Sequence, residues 1–145
     1  MAAAPITTYR GTVYPWDMDH IGHPNVRVYV AKFDEANWQF AARIGLTPEY
    51  FRSRQRGLVA VQQNLSYARE VIAGDAITIR TTLTDVPARK LCFRHDMVLE
   101  ADDQHQQGAG DMIVVHLDRA ARRSCPLPEA VVARCREMLA EEAVA

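Results

Sequence analysis

The chain contains one long segment with a clear helical repeat, and most of the remaining sequence favours strands. The apolar positions of that segment recur at steps of three and four residues and would share one face of a helix: Val26, Val30, Phe33, Phe40 and Ile44. Asn25 suits the N-cap of this helix, and Gly45 suits its end. One dominant helix has to bury its apolar face against another layer of structure.

The segments around this helix predict that layer to be a sheet. β-branched residues and period-two alternation predict strands over 9–16, 58–68, 76–86, 91–99 and 112–117. Gly74 and Asp75 form a turn signal, and the polar stretch 101–110 is predicted to be a connection, with Gly108 and Gly110 in a flexible hairpin turn. Thr47 and Pro48 favour a short helix through residue 54, and 127–138 is predicted to be a final amphipathic helix.

The order of these elements predicts an α+β fold. Strands that follow one another through short turns form an antiparallel sheet, and the long helix can cover the apolar face of that sheet. The 145 residues fit a single domain spanning 1–145, without internal repeat or linker.

Composition and missing motifs exclude several functional classes. Lys and Arg number 17 against 18 Asp and Glu, so the basic excess of a nucleic-acid or membrane-surface protein is absent. Three cysteines without C-x-x-C spacing, and an N-terminus unlike a signal peptide, favour a reduced cytoplasmic protein. The sequence has no G-x-S-x-G, no H-E-x-x-H and no phosphate-binding G-x-x-x-x-G-K-[ST] motif.

The most informative segment is the acidic turn before the long helix. A helix N-terminus exposes unpaired N–H groups and a partial positive charge, which can polarise a carbonyl oxygen. The carboxylate of Asp19 lies a few residues upstream and could act on the same carbonyl, directly or through a water molecule. Gly22 permits a tight turn, while His23 and Asn25 can donate or accept hydrogen bonds there. This arrangement suits the hydrolysis of an activated acyl group.

Two other interpretations of this turn stay open. Asp, Asn and His residues before a helix often serve only as caps and turn formers. Asp17 is the better candidate for such a role, because it directly follows the first strand and can close an Asx-turn. A metal site formed by Asp17, Asp19, His20 and His23 is the second alternative, although no downstream pair completes a recognised ligand spacing.

The same residues carry a family resemblance. The pattern Asp19-x-x-Gly22-His23-x-Asn25-x-x-x-Tyr29 resembles the signature of hot-dog-fold acyl-CoA thioesterases of the 4-hydroxybenzoyl-CoA thioesterase-like superfamily. The likeness extends over about 9–127 and includes 33–36, 65–71, 74–75, 89–90 and 115–118. The G-H-x-N form of the turn is similar to that of plant acyl-carrier-protein thioesterases and of betainyl-CoA thioesterases, and the overall likeness is greater to the second group. The resemblance implies a hot-dog fold, with an antiparallel sheet wrapped around one central helix.

The resemblance also implies roles for individual residues. Asp19 falls on the catalytic carboxylate, as nucleophile or general base, and Val26 falls on the backbone N–H that polarises the thioester carbonyl. His23 and Asn25 would orient water or the acyl carbonyl, and Tyr29 would join Val26 in binding substrate. Arg89 and Lys90 fall where related enzymes meet the phosphates of coenzyme A; a solvated strand end is the alternative for this pair.

The implied activity is hydrolysis of a small or medium acyl-CoA to free acid and CoA. No cofactor is expected, with CoA entering as part of the substrate, and the site would be completed across the subunits of a homodimer or homotetramer. A non-hydrolytic acyl-CoA or acyl-carrier binding protein, or a hydratase, is the alternative on the same fold. Trp16, Tyr29 and Trp38 fit ordinary core aromatics better than a cage for a quaternary ammonium group.

Overall fold

The computed structural model describes residues 3–144 and contains three helices and six strands. In chain order they are β1 (Ile6–Thr12), α1 (Val26–Arg43), α2 (Pro48–Arg54), β2 (Arg56–Tyr67), β3 (Ala76–Asp85), β4 (Lys90–Leu99), β5 (Asp102–Asp118), β6 (Arg123–Ser124) and α3 (Glu129–Val144). A single 3₁₀ turn, Pro15–Asp17, lies between β1 and α1. Among the described residues, no helix is both long and apolar enough to span a membrane.

The strands form one antiparallel sheet in the order β1-β3-β4-β5-β2, with β6 paired to β5. This confirms the predicted α+β class and the sheet wrapped around one long helix. The strand β2 lies at an edge of the sheet and pairs with β5 alone. β2 and β3, which follow each other in sequence, are not neighbours in the sheet, so 68–75 is a crossing connection and not a hairpin turn.

The helix α1 is held by the burial of its apolar face against the sheet. Phe33 and Ala36 are completely buried, and Phe40 packs against Phe93 of β4 with ring centroids 5.0 Å apart. Burying a phenylalanine or leucine side chain contributes about 1.5–3 kcal/mol, so these contacts fix the position of α1. The two ends of α1 match the prediction, since the Asn25 side chain accepts the Arg27 N–H at 3.0 Å and Gly45 follows with a φ of +101°.

Three predicted element boundaries were wrong. β1 is Ile6–Thr12 instead of 9–16, because Pro15 opens a 3₁₀ turn in place of continuing the strand. α3 begins at Glu129, after Pro128, and extends to Val144 instead of ending at residue 138.

The third wrong boundary concerns the polar stretch 101–110, which forms the first half of β5. Gly108 and Gly110 lie inside this strand and are buried. A Cβ on Gly110 would stand 2.8 Å from the Leu65 side chain, so this glycine permits close packing between β5 and β2. The glycines therefore serve packing in the sheet and do not form a turn.

A chain of hydrogen-bonded polar side chains crosses the core. Thr81 lies 2.7 Å from both Thr8 and His95 Nδ1, and His95 Nε2 donates to the Asn37 side-chain oxygen at 2.6 Å. His95 is fully buried, and this desolvation lowers its pKa to about 4. The histidine is therefore neutral in the folded protein at neutral pH and takes up a proton only when the protein unfolds in mild acid.

This buried histidine predicts a pH dependence of stability. An unfolded histidine titrates near pH 6.5, so below that pH the unfolded chain binds a proton that the folded chain excludes until about pH 4. The free energy of unfolding should fall by about 2 kcal/mol between pH 7.5 and pH 5 from this group alone. Urea unfolding of the wild type and of His95→Gln measures it; an equal fall in both proteins would contradict the assignment.

Candidate active site

The segment between β1 and α1 is a compact loop closed by its own backbone. The Asn25 N–H donates to the Asp17 carbonyl at 3.1 Å, and Met18 and Pro24 form an isolated β-bridge. The Asp17 carboxylate accepts the Tyr14 N–H at 2.9 Å. Asp17 thus has the structural role expected of it, but it closes the 3₁₀ turn backwards onto Tyr14 and does not form an Asx-turn.

The Asx-turn belongs to Asp19. One of its carboxylate oxygens accepts the Ile21 N–H at 2.9 Å, and its own N–H donates to the His23 carbonyl at 2.8 Å. The Ile21 hydrogen bond lowers the pKa of Asp19 below its usual value, with smaller contributions from the His23 backbone and opposed by partial desolvation. Asp19 is therefore a carboxylate at neutral pH, and backbone N–H groups of its own loop stabilise the negative charge.

The first turn of α1 presents one unpaired backbone donor beside this loop. Asn25 accepts the Arg27 N–H with its side chain and the Val28 N–H with its carbonyl. The Val26 N–H has no acceptor among the described residues, and Val26 is 58% exposed. The positive end of α1 is thus open to solvent at Val26, where it can polarise a carbonyl oxygen.

The end of β2 and the segment after it form one side of the candidate site, next to the loop and the N-terminus of α1. His23 Nδ1 lies 2.7 Å from a carboxylate oxygen of Glu70, with both side chains about half exposed. Tyr29 packs edge-on against Tyr67 with ring centroids 5.0 Å apart, and burial raises the pKa of Tyr29. His23 and Tyr29 therefore contact the end of β2 and the segment after it, while Asp19 and Asn25 lie in the same loop before α1.

Glu70 and Tyr67 were not assigned roles from the sequence. Both fall in the stretch 65–71 that carries part of the family resemblance. Their positions beside His23 and Tyr29 depend on the crossing connection after β2, which no local sequence pattern indicates. The contact between Glu70 and His23 is therefore seen in the folded chain and could not be predicted from the sequence.

Arg89 and Lys90 lie at the opposite end of the sheet from Asp19. They precede and begin β4, which pairs with the end of β5, whereas the Asp19 loop follows the end of β1 beside the start of β3. Arg89 donates to the Ser124 carbonyl at 2.9 Å. The ten residues of β4 span about 30 Å, so one chain does not bring this pair to Asp19.

The three aromatic residues that were considered as a cage for a quaternary ammonium group do not pack on one another. Each packs on a different aromatic partner. Trp16 stacks on Tyr14, Tyr29 packs on Tyr67, and Trp38 packs on Phe51. Trp16 is 75% exposed and Trp38 is 47% exposed, so the expectation that these two belong to the core was wrong. The described part of the chain contains no cluster of three or more His, Cys, Asp or Glu side chains arranged to hold a metal ion.

Comparisons with known proteins indicate the family of this chain. A family model described as the thioesterase-like superfamily matches residues 13–135. The betainyl-CoA thioesterase of Pseudomonas aeruginosa is 28% identical over 136 residues, covering 94% of this chain and 84% of that protein.

Solved structures show the same fold. A Staphylococcus aureus protein, determined in complex with CoA, superposes with a TM-score of 0.86 at 19% identity, covering 95% of this chain and 85% of that one. A 1,4-dihydroxy-2-naphthoyl-CoA thioesterase from Synechocystis superposes with a TM-score of 0.79 at 18% identity, covering 93% of this chain and 98% of that one. These similarities confirm the hot-dog architecture expected from the resemblance.

Proposed function

The chain belongs to the thioesterase-like superfamily, and on that basis we propose that it hydrolyses the thioester of a small or medium acyl-CoA with Asp19 as its catalytic carboxylate. The observation that carries the assignment of Asp19 is local. An ionised carboxylate and an unpaired backbone N–H lie at the same exposed end of α1. Hydrolysis needs both groups, whereas binding alone needs no carboxylate at that point.

The chemistry begins with polarisation of the thioester carbonyl. Its oxygen accepts the Val26 N–H, and the negative charge that develops on attack is stabilised by the positive end of α1. In one route, Asp19 attacks the carbonyl carbon, the C–S bond breaks, and water then hydrolyses the acyl-aspartyl anhydride. In the other, Asp19 takes a proton from the attacking water and that proton ends on the CoA thiolate. Both routes yield the free acid and CoA.

Neighbouring side chains support either route. His23 is oriented by Glu70, and we assign His23 the positioning of the attacking water or the carbonyl. Asn25 uses its side-chain oxygen to cap α1, which leaves its NH₂ group for the same task. Tyr29 forms part of the wall against which the acyl group lies. The proposed reaction uses no resident cofactor, and CoA enters as part of the substrate.

The relatives support an acyl-CoA substrate. The Pseudomonas aeruginosa protein is named for betainyl-CoA hydrolysis, and the Staphylococcus aureus structure holds CoA. We also propose a cytoplasmic location, which agrees with three free cysteines, Cys92, Cys125 and Cys135.

Replacing Asp19 tests the catalytic assignment. Asp19→Asn keeps the size of the side chain and its ability to accept the Ile21 N–H but removes the negative charge. We expect kcat for acyl-CoA hydrolysis, followed by thiol release, to fall at least about 100-fold, the scale of general acid–base assistance.

Asp17→Asn is the matched control. It should keep most of the turnover and lose about 1 kcal/mol of stability, because it weakens the hydrogen bond to the Tyr14 N–H. Near-native turnover by Asp19→Asn, or inactivity of Asp17→Asn alone, would show that the carboxylate was misassigned. Acyl-CoA binding without turnover by the wild type would favour the non-hydrolytic alternative.

We further propose that the protein is a homodimer paired through β2. This strand is twelve residues long, its outer edge has no partner strand in the described chain, and Val59 and Val61 are 44% and 57% exposed. A long edge strand with exposed apolar side chains pairs readily with another strand. Antiparallel pairing of two copies of β2 would extend the sheet across both subunits.

The oligomeric state tests this pairing. Val61 lies at the middle of β2, so a two-fold axis through the centre of the paired strands would set the two charges of Val61→Glu near each other. We expect the molar mass measured by light scattering to shift from dimer towards monomer at micromolar concentration. Thr7→Glu, on the opposite edge strand β1, is the control and should leave the mass unchanged. A monomeric wild type, or a shift caused by Thr7→Glu alone, would refute pairing through β2.

A further inference from the structure

A small pocket lies between α1 and the inner face of the sheet. Its internal volume is about 40 Å³, enough for roughly three groups of the size of a water molecule. Most of its walls are apolar and come from α1, β2, β4 and β5: Phe40, Leu58, Leu91, Phe93 and Val114. Two polar side chains also line it, the half-buried Asn37 and the exposed Asp34. Apolar walls with a few polar groups are typical of a binding pocket for part of a small molecule.

Asn37 is held at this pocket by a buried histidine. The Asn37 side-chain oxygen lies 2.6 Å from His95 Nε2, so Nε2 carries the ring proton and donates it to that oxygen. The other ring nitrogen of a neutral imidazole is an acceptor, and His95 Nδ1 accepts the Thr81 hydroxyl at 2.7 Å. Thr81 in turn lies 2.7 Å from the Thr8 hydroxyl. A chain of hydrogen bonds that begins on β1 therefore orients the amide of Asn37.

Packing also fixes the ring of His95. The ring stacks on Phe33 with centroids 5.7 Å apart and 5° between the planes, and Phe93 packs edge-on against it at 5.2 Å. Turning the Asn37 amide over would set its NH₂ group against the Nε2–H donor of His95. The NH₂ group is therefore directed away from the histidine, and no acceptor for it is found in the described part of the chain.

The pocket and the proposed oxyanion site lie on the same flank of α1. Val26, Val30 and Asn37 follow one another at steps of four and seven residues, so they share one face of the helix. α1 packs closest to β1 and β3, and this flank faces β2, whose Leu58 lines the pocket. The rise of the helix from Val26 to Asn37 is about 16 Å, the length of an extended acyl chain of roughly a dozen carbons.

We infer that Asn37 determines acyl-group specificity, because its NH₂ group, oriented by His95, donates a hydrogen bond to a neutral oxygen near the far end of a medium-length acyl chain. A keto, ether or hydroxyl oxygen would serve. The inference rests on the proposed function, with the thioester carbonyl at the Val26 N–H.

The chemistry of the pocket limits which chain ends it accepts. An unsubstituted alkyl end would displace water from the pocket and leave the Asn37 NH₂ group without a partner, which disfavours that substrate. A carboxylate end would lie near the negatively charged Asp34, so repulsion disfavours it too. A neutral acceptor oxygen satisfies Asn37 and avoids this repulsion.

A pair of substrates tests the specificity. Dodecanoyl-CoA is compared with the same acyl-CoA carrying a keto group on the penultimate carbon, and thiol release gives the rates. We expect kcat/KM of the wild type to be at least about tenfold higher for the keto substrate, the scale of one neutral hydrogen bond. The difference should appear mainly in KM, because the bond is remote from the reacting carbonyl and forms equally in the bound substrate and the transition state.

Asn37→Asp removes the donor and keeps the oxygen that accepts the His95 Nε2–H. This variant should lose the preference for the keto substrate. Its kcat for butyryl-CoA, whose acyl group is too short to reach the pocket, should change less than about twofold. Gln39→Glu makes the same change from amide to acid on the opposite face of α1 and is the control, for which the preference should persist.

A His95 variant tests the positioning of Asn37. His95→Phe keeps a ring that can stack on Phe33 and removes the donor to Asn37. We expect it to lose the keto preference although Asn37 is present, and we expect His95→Gln, whose amide can donate to Asn37, to restore part of it. A purely structural role of His95 would lower the melting temperature without changing the ratio of the two kcat/KM values.

The outcomes separate this inference from the proposed function. Equal kcat/KM for the two substrates with the wild type, or a preference that survives Asn37→Asp, overturns the inference, while turnover of acyl-CoA by the wild type still supports the proposed function. Absence of hydrolysis of every acyl-CoA assayed, butyryl-CoA included, overturns both.

Discussion

Burial of α1 against the curled sheet is the constraint on which the site depends. The fully buried Phe33 and its neighbours fix the helix, and the fixed helix sets where its N-terminus emerges. Asn25 accepts the N–H groups of Arg27 and Val28, and the N–H group of Val26 stays unpaired. A partial positive charge is therefore held at one point of the fold, at the N-terminus of α1.

Asp19 and the pair formed by Arg89 and Lys90 lie at opposite ends of the sheet. Asp19 and Glu70 lie at the end where α1 begins, while Arg54, Arg56 and Arg89 lie at the end where it finishes. An acyl-CoA needs both kinds of environment, a carboxylate at its thioester and cations at its phosphates. Pairing of two copies through β2, as proposed above, would bring opposite ends of two chains together.

The features that were predicted correctly from the sequence depend on residues that are close together in the chain. The apolar period of α1, the caps at Asn25 and Thr47 and the placement of Asp19 before the helix all depend on residues near one another in the chain. The pairing of β2 with β5 and the strand formed by 102–110 depend on distant partners, because polar residues and glycines form a strand there only when a neighbouring strand covers them. The contact between Glu70 and His23 follows from the same long-range pairing.

A crystal structure with an acyl-CoA analogue whose thioester sulfur is replaced by CH₂ tests the central claim most directly. This ketone retains the carbonyl and cannot be hydrolysed. We expect its oxygen within hydrogen-bonding distance of the Val26 N–H, and the Asp19 carboxylate facing the carbonyl carbon directly or through one water molecule. A carbonyl bound away from the N-terminus of α1, with Asp19 in contact only with its own loop, would contradict the account.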